Sequence, residues 1–324
     1  MSHVQWNTSS PRAGATARGV REREAGPQLA GLRRRRRLPR DWWWGYLFIA
    51  PFFVIFAAFS AYPMIYALEL SFSDWHGGGQ LHWIGFGNYT YLLTNPQFWS
   101  SLGNSGTMWL LIVPLQTVLA VAAASLLTRS RLRFVKSLRT VVVLPYVTPL
   151  AAMAQAFILI FDRNFGVLNA ILHVFGLPSV SWLTSTAWAK PSIAIFMLWK
   201  TTGFALIIML AAVQSIPEYL YESAALDGAG PVRMFWSITV PMVRRHIGFF
   251  LVISTLGISQ MFLEPFVLTQ GGPYNSTTTS GLYLYQHIEN SDLGLGAANS
   301  FLLVILVFVL SLVAVRVLRS KEDA

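Results

Sequence analysis

A few polar side chains interrupt stretches of the sequence that are otherwise apolar. Lys200 stands within the segment Trp199–Gly203, and Ser259, Gln260 and Glu264 follow in a later apolar stretch. Polar groups at membrane depth are costly, which makes them candidates for binding a solute. In a continuous helix, Gln260 and Glu264 would share one face because they are four residues apart. The candidate solute-binding residues are therefore Lys200, Thr201, Gly203, Ser259, Gln260 and Glu264.

An alternative for two of these residues is purely structural. Lys200 and Glu264 carry opposite charges, and they could pair with each other or with a neighbouring helix instead of binding a solute.

The sequence lacks the motifs of several enzyme classes. A P-loop needs Gly-Lys-Ser/Thr, but the four lysines follow Val135, Ala189, Trp199 and Ser320. The six histidines show no His-Glu-x-x-His spacing, and no Gly-x-Ser-x-Gly elbow occurs. Cysteine is absent, which excludes disulfides and thiolate chemistry. We expect a chain that is not an enzyme and binds no cofactor or metal itself.

The composition predicts which elements must position the polar residues. Of 324 residues, 54% are hydrophobic and 12% are charged, whereas soluble domains carry about 25% charged residues. Apolar stretches of about 20 residues cross a bilayer, and in lipid each must be a helix. We predict an all-α polytopic membrane protein with six transmembrane helices, near Trp43–Pro63, Thr107–Leu127, Val141–Phe161, Trp188–Val213, Ile247–Leu268 and Gly296–Val315.

The basic residues predict the orientation of these helices. Of the 24 Lys and Arg residues, 21 lie in residues 1–40, the 129–139 loop, the 214–245 loop and the tail. By the positive-inside rule, both termini and these two loops are cytoplasmic. The net charge of +10 therefore indicates membrane orientation, and we expect no nucleic-acid partner.

The domain organisation follows from the same pattern. Residues 1–41 are predicted to form a disordered, Arg-rich cytoplasmic arm, because they are rich in Ser, Gly, Ala and Arg. Residues 42–318 form the transmembrane domain, and residues 319–324 form a cytoplasmic tail.

The loop at 214–245 is longer than a simple connection requires. Ser215 followed by Glu218 resembles a capping box, which predicts a helix running to about Leu226. The segment 227–231 then forces a turn, and its proline opens a second helical piece. This helix–turn–helix is expected to present an apolar docking surface formed by Tyr219, Leu220, Phe235 and Trp236.

The spacing in this loop resembles the EAA loop of binding-protein-dependent ABC transporter permeases. That pattern is Glu-Ala-Ala, three residues, Gly, nine residues, Ile-x-Leu-Pro. The present sequence has Glu222-Ser223-Ala224, then Gly228, then Ile238-Thr239-Val240-Pro241. The spacing agrees throughout, and the departures are Ser for the first Ala and Val for Leu.

Two further segments resemble the carbohydrate-uptake subfamily. Residues Ile84–Tyr89 are similar to its Gly-Leu-x-Asn-Tyr segment, and Leu268–Thr277 to its Leu-Thr-x-Gly-Gly-Pro-x-x-x-Thr loop. The resemblance covers roughly residues 43–318 and implies the type I ABC importer permease fold.

The resemblance also implies how transport is coupled to ATP hydrolysis. In that family the loop is a coupling helix that docks on a separate ATPase, which holds ATP and Mg²⁺. The alternative is that Gly228 only ends a helix and that Glu222 is a solvated surface charge. The implied coupling residues are Glu222, Ser223, Ala224, Asp227, Gly228, Ala229 and Pro241.

The resemblance further implies a site and an assembly. It places a sugar site at mid-membrane on the fourth and fifth spans, unless a second permease alone holds the solute. The expected partners are that second permease in a heterodimer, an ATPase dimer and an extracytoplasmic solute-binding protein, in a bacterial inner membrane. The external loops 64–106 and 269–295 would face the binding protein, or simply pack over the helix ends. Two rival functions stay open, import of glycerol-3-phosphate or a polyol, and ion-coupled secondary transport.

Overall fold

A computed structural model describes residues 42–129 and 135–319. The predicted arm at residues 1–41, part of the basic 129–139 loop at residues 130–134, and the tail from residue 320 onward lie outside the described residues. The described residues divide into two units, one ending at Ile55 and the other beginning at Phe56.

Helices dominate the described residues. They are α1 (Trp42–Phe56), α2 (Tyr62–Ser71), α3 (Gly87–Thr94), α4 (Pro96–Arg129), α5 (Val135–Val147), α6 (Leu150–Ile160), α7 (Val167–Val174), α8 (Ala189–Gln214), α9 (Glu218–Leu226), α10 (Pro231–Met234), α11 (Val240–Ser259), α12 (Leu263–Thr269), α13 (Ser280–Glu289) and α14 (Leu293–Arg319). π-Helical segments occur at Ala57–Ala61 and Phe235–Thr239, and a short antiparallel hairpin joins β1 (Ser73–Asp74) to β2 (His82–Trp83).

Among the residues that the structure describes, five continuous helical segments are long and apolar enough to cross a membrane, and a sixth span results if one bent helix pair is counted. The continuous segments are Trp43–Ser71, Pro96–Thr128, Ala189–Gln214, Pro231–Ser259 and Leu293–Val313. The bent pair consists of Arg139–Val147 and Leu150–Ile160, whose axes differ by 103°. The predicted all-α fold is therefore confirmed, and the predicted number of six spans is reached when the bent pair counts as one span.

The third span is broken at Thr148 and Pro149. Pro149 lacks an N–H, so it cannot continue the hydrogen-bond ladder of α5. It instead caps the start of α6 with an extended backbone, φ −56° and ψ 125°. The prediction of a span at Val141–Phe161 therefore has the right position but describes two helices.

The fifth span ends earlier than predicted. The sequence predicts that it continues as one helix to Leu268, but α11 ends at Ser259 and a new helix, α12, begins at Leu263. Pro265 explains the break, because a proline ring clashes with the carbonyl four residues earlier, here that of Met261. The Met261 carbonyl instead accepts a 2.5 Å hydrogen bond from the Thr279 hydroxyl.

The core is organised around α8. This helix packs against α4, α5 and α11. One apolar cluster, which includes Phe161, Phe196 and Met261, joins α8 to α6 and to the α11–α12 break. A second cluster, which includes Met209 and Phe250, joins α8 to α11 and α4. Span four is thus the common surface on which both broken spans are assembled.

A tight junction ties the β1–β2 hairpin to the start of α14. Asn88 donates hydrogen bonds to the carbonyls of Ser71 (3.1 Å) and Ser73 (2.9 Å). The Gly294 N–H contacts the Trp75 carbonyl at 3.3 Å, and a β-carbon at Gly294 would overlap the Ser73 carbonyl. Only glycine permits this approach of two backbones.

Candidate functional site

The predicted coupling loop folds as a helix, a tight turn and a second helix. Helix α9 runs from Glu218 to Leu226, and α10 begins at Pro231, as predicted. The predicted capping box is wrong, because Pro217 is the N-cap of α9 and no side chain caps this helix. Ser215 belongs to the end of α8, where its hydroxyl donates to the Ala212 carbonyl at 2.8 Å.

Gly228 forms the turn between the two helices. Its φ of +76° lies in the left-handed region that disfavours residues with a β-carbon. The Gly228 N–H contacts the Ala225 carbonyl at 3.1 Å, and the Ala229 N–H donates to the Ala224 carbonyl at 2.9 Å. This pair of bonds is a Schellman motif, which satisfies carbonyls at the end of α9. Gly228 therefore both ends α9 and forms the turn. The coupling interpretation and the C-cap interpretation share this geometry, and they differ only in whether a partner docks on the turn.

Most of the predicted coupling residues lie on the surface. Glu222, Ser223, Asp227, Gly228 and Pro241 are exposed, whereas Ala224 and Ala229 are partly buried. A β-carbon placed on Gly228 would have no described residue within 4 Å other than its two chain neighbours. The turn is therefore sterically open to a partner.

The apolar surface beside this turn differs in part from the prediction. Tyr219 and Trp236 are 62% and 61% exposed, as expected. Leu220 and Phe235 are partly buried and pack against the second apolar cluster, so they offer less exposed surface than predicted. Leu226 is 90% exposed, which the sequence analysis did not single out.

Of the predicted solute-binding residues, those on α8 are engaged within the chain. The Lys200 Nζ donates to the carbonyls of Thr148 (2.9 Å), Pro145 (3.2 Å) and Tyr146 (3.4 Å). A lysine ammonium has three donors, so these contacts use all of them. The hydrogen bonds favour the alternative in which Lys200 pairs with a neighbouring helix.

Thr201 and Gly203 also have structural contacts. The Thr201 hydroxyl donates to the Met197 carbonyl at 2.7 Å and accepts a 2.8 Å hydrogen bond from Gln116. A β-carbon at Gly203 would overlap the backbone of Val142, so this glycine lets α5 approach α8 closely.

The residues on the fifth span lie at its break instead of on one helix face. Gln260 is the C-cap of α11, and Glu264 lies in the first turn of α12. The predicted shared face of these two residues is therefore wrong, because the helix is interrupted between them. Ser259 donates to the Thr255 carbonyl at 2.8 Å and accepts a 3.1 Å bond from Ser280 at its own carbonyl.

Gln260 and Ser259 line a groove of about 630 Å³ between α11, α13 and α14. The rings of Phe262 and Tyr285 stack there with centroids 5.2 Å apart and an interplanar angle of 21°. Such a combination of an amide, hydroxyls and aromatic faces suits a hydroxylated ligand. The sequence analysis missed Tyr285, because no periodicity places α13 beside the end of α11.

The loop after α12 packs on one side and is exposed on the other. Asn104 of α4 donates to the carbonyls of Asn275 and Thr278, both at 2.9 Å. Tyr274, at the tip, is 95% exposed. The loop therefore packs over the helix ends on one side and leaves Tyr274 exposed on the other. The two alternatives for this loop are compatible with each other.

A pair of histidines meets Asp292 at the turn between α13 and α14. The Asp292 carboxylate lies 3.1 Å from Nε2 of His76 and 3.9 Å from Nδ1 of His287. Burial lowers the pKa of His287, and the nearby Asp292 charge opposes that shift. The Nε2 of His287 is buried without a hydrogen-bond partner. Within the described ranges, no three His, Asp or Glu side chains are arranged to hold a metal ion.

Comparisons with known proteins agree with this architecture. Residues 116–321 match the family described as "Binding-protein-dependent transport system inner membrane component". The sulfoquinovosyl glycerol transport system permease protein SmoG of Agrobacterium fabrum is 32% identical over 85% of this chain and 90% of its own length. The lactose transport system permease protein LacF of Rhizobium radiobacter is 34% identical over 86% of this chain and 95% of its own length.

A solved structure is also similar. It is the crystal structure of a bacterial ABC transporter involved in the import of the acidic polysaccharide alginate. The likeness has a TM-score of 0.75 and 28% identity, and it covers 87% of this chain and 96% of that chain. The chain therefore belongs to the family of binding-protein-dependent transport system inner membrane components, as a sugar ABC transporter permease with the type I importer fold.

Proposed function

We propose that this chain is one of two permease subunits in an ATP-driven importer, and that it forms the translocation path with the second subunit. A separate ATPase dimer binds ATP and Mg²⁺, and an external binding protein delivers the solute. The external binding protein is supported by a similar solved structure, the crystal structure of a bacterial alginate ABC transporter in complex with alginate pentasaccharide-bound periplasmic protein. The orientation proposed from the basic loops places both termini and the 214–245 loop in the cytoplasm of a bacterial cell.

The Gly228 turn is the observation that carries the coupling proposal. It is exposed, sterically open and held by two backbone hydrogen bonds, while Leu226 beside it is almost fully exposed. Glu222 and Asp227 would make polar contacts to the ATPase, and Ser223, Ala224 and Ala229 would allow close approach. Pro241, in the first turn of α11, would set the helix geometry where α11 follows the π-helical segment of the fifth span.

The test is uptake by the assembled transporter in proteoliposomes. We expect uptake to require internal ATP and an ATPase subunit with an intact P-loop, and to persist when ionophores collapse ion gradients. Uptake that survives without ATP but fails with ionophore would support an ion-coupled secondary transporter and would contradict the proposal.

We further propose that the solute is a sugar and that it contacts the groove at the α11–α12 break. Gln260 and Ser259 would hydrogen-bond hydroxyls, and the Phe262–Tyr285 pair offers an aromatic face. Glu264 lies beyond the break, in the first turn of α12. The lysine, threonine and glycine candidates of α8 are engaged elsewhere, so they would shape the path without binding the solute.

A substitution at Gln260 tests this site. Gln260→Ala should lower uptake while loaded binding protein still stimulates ATP hydrolysis, because solute contact is lost and docking is kept. Gln155→Ala is the matched control, since Gln155 is an exposed amide on α6 outside the groove. Equal uptake by both variants and the parent chain would place the solute site on the second permease.

The chemical identity of the solute needs a direct measurement. The relatives are named for lactose, sulfoquinovosyl glycerol and arabinooligosaccharides, which share hydroxyl-rich rings but differ in charge and length. A ligand screen on the binding protein encoded beside this gene would identify it. Binding of glycerol-3-phosphate or a polyol, with no sugar bound, would favour the alternative substrate class.

A further inference from the structure

The break in the third span leaves backbone carbonyls without helical partners. The last four carbonyls of an α-helix have no N–H to accept from, and lipid supplies no water to replace it. In α5 the chain turns by 103° directly after Val147, and Pro149 contributes no N–H. These carbonyls therefore need donors from elsewhere in the protein.

Two side chains supply those donors. The Thr148 hydroxyl donates to the Pro145 carbonyl at 2.7 Å and contacts that of Leu144 at 3.3 Å. Lys200 reaches from α8 to the carbonyls of Pro145, Tyr146 and Thr148. A cation is favoured at this end of a helix, because the aligned peptide dipoles leave it negative.

The neighbours of Lys200 on α8 fix both sides of the break. Gly203 and Phe204 lie one turn further along α8 and contact α5. Gly203 allows close approach of the α5 backbone. Phe204 stacks on Tyr146, with ring centroids 4.8 Å apart. Trp199 contacts α6 instead, with its ring 5.0 Å from that of Phe157. Adjacent residues of α8 thus contact the two halves of the broken span.

The two halves of the third span have different partners. Helix α5 packs along α8, whereas α6 packs along α12, the short helix beyond the break in the fifth span. A change in the angle between α5 and α6 would therefore move α12 and the groove residues next to it. We propose that Lys200 is a positioning residue, which sets the geometry of the break in the third span and through it the shape of the translocation path. This proposal rests on the transport function proposed above.

The test uses the assembled transporter with Lys200→Met, which keeps the length of the side chain and removes the charge and all donors. We expect maximal uptake to fall about tenfold, the scale of a population shift when buried acceptors lose their donor. The KM for loaded binding protein should stay unchanged, because the binding protein docks elsewhere. Lys200→Arg should restore most of the rate, since a guanidinium also donates several N–H groups. Lys190→Met, on the same helix, is the matched control.

A distance measurement tests the same proposal without transport. The chain has no cysteine, so spin labels on Leu144→Cys and Leu159→Cys, which are 62% and 70% exposed, report only the α5–α6 distance. Lys200→Met should broaden or shift this distance distribution, and Lys200→Arg should leave it near that of the parent. If Lys200→Met does not assemble, Lys200→Gln, which keeps two donors, takes its place with a smaller expected shift.

Two results would overturn the proposal. One is a Lys200→Met chain with parental uptake and parental distances. The other is a changed solute selectivity or KM with unchanged distances, which would make Lys200 a solute ligand. A failure of the proposed function can be told apart from a failure of this proposal. If the parent complex does not import a sugar with ATP, the α5–α6 distance can still be measured.

Discussion

Substitutions at Gly228 test whether the turn matters for its conformation or for its open surface. A residue with a β-carbon at φ +76° costs about 1–2 kcal/mol. Because no described residue other than the two chain neighbours comes within 4 Å of the added carbon, steric overlap with the rest of the described subunit adds nothing to this cost. A strain of this size corresponds to a shift of about 5- to 30-fold in the population of the turn.

The order of three variants separates the two explanations. If backbone strain dominates, Gly228→Ala and Gly228→Val should impair the transporter more than Gly228→Asn, because asparagine tolerates the left-handed region. If close contact with the ATPase dominates, Gly228→Asn should be worse than Gly228→Ala because its side chain is larger.

The assay is binding-protein-stimulated ATP hydrolysis and uptake in proteoliposomes, with subunit assembly checked by co-purification. Gly230→Ala is the matched control, since Gly230 is exposed, has φ −70° and has equal room for a β-carbon. The reasoning is refuted if Gly228→Val couples hydrolysis to uptake as well as Gly230→Ala does.

Three further predictions concern packing, the second break and pH. Gly203→Ala should destabilise the subunit by about 1–3 kcal/mol by overpacking against the α5 backbone, seen as a lower unfolding temperature in detergent, whereas Gly257→Ala, with open space around it, should not. Thr279→Val should lower that temperature by removing the donor to the carbonyl at the α11–α12 break, and Thr279→Ser should retain it. Since burial lowers the pKa of His287, the unfolded chain binds that proton more readily, so stability should fall as pH drops below about 6.5. His287→Gln should flatten this dependence in a pH series of unfolding temperatures, and His173→Gln, an exposed histidine, should leave it unchanged; the reverse pattern would contradict the assignment.

The length and apolarity of the spans were sufficient to predict the fold class, since lipid restricts such segments to helices. The Gly228 turn was also predictable, because Asp-Gly-Ala-Gly-Pro has few backbone solutions. Both features depend on residues close in sequence.

The breaks in the third and fifth spans depend on distant residues. Pro265 was a local signal for the second break, but the donor that makes it tolerable, Thr279, lies 18 residues from Met261 along the chain. Lys200 is 52 residues from Thr148. From sequence alone, a polar residue at membrane depth is equally consistent with binding a solute and with donating hydrogen bonds to a broken helix. Only its tertiary contacts distinguish the two roles.

The fifth span has a consequence for how motion is transmitted. Pro231–Ser259 is a continuous helical rod of 29 residues, roughly 43 Å long at about 1.5 Å per residue. Its first residue lies three positions after Gly228, and its C-cap is Gln260. A rotation of about 10° around either end would displace the opposite end by about 7 Å, from the length of the rod alone. Movement at the cytoplasmic turn would then reach the groove along this one helix, which would bend most readily at its π-helical segment Phe235–Thr239 and at Pro241.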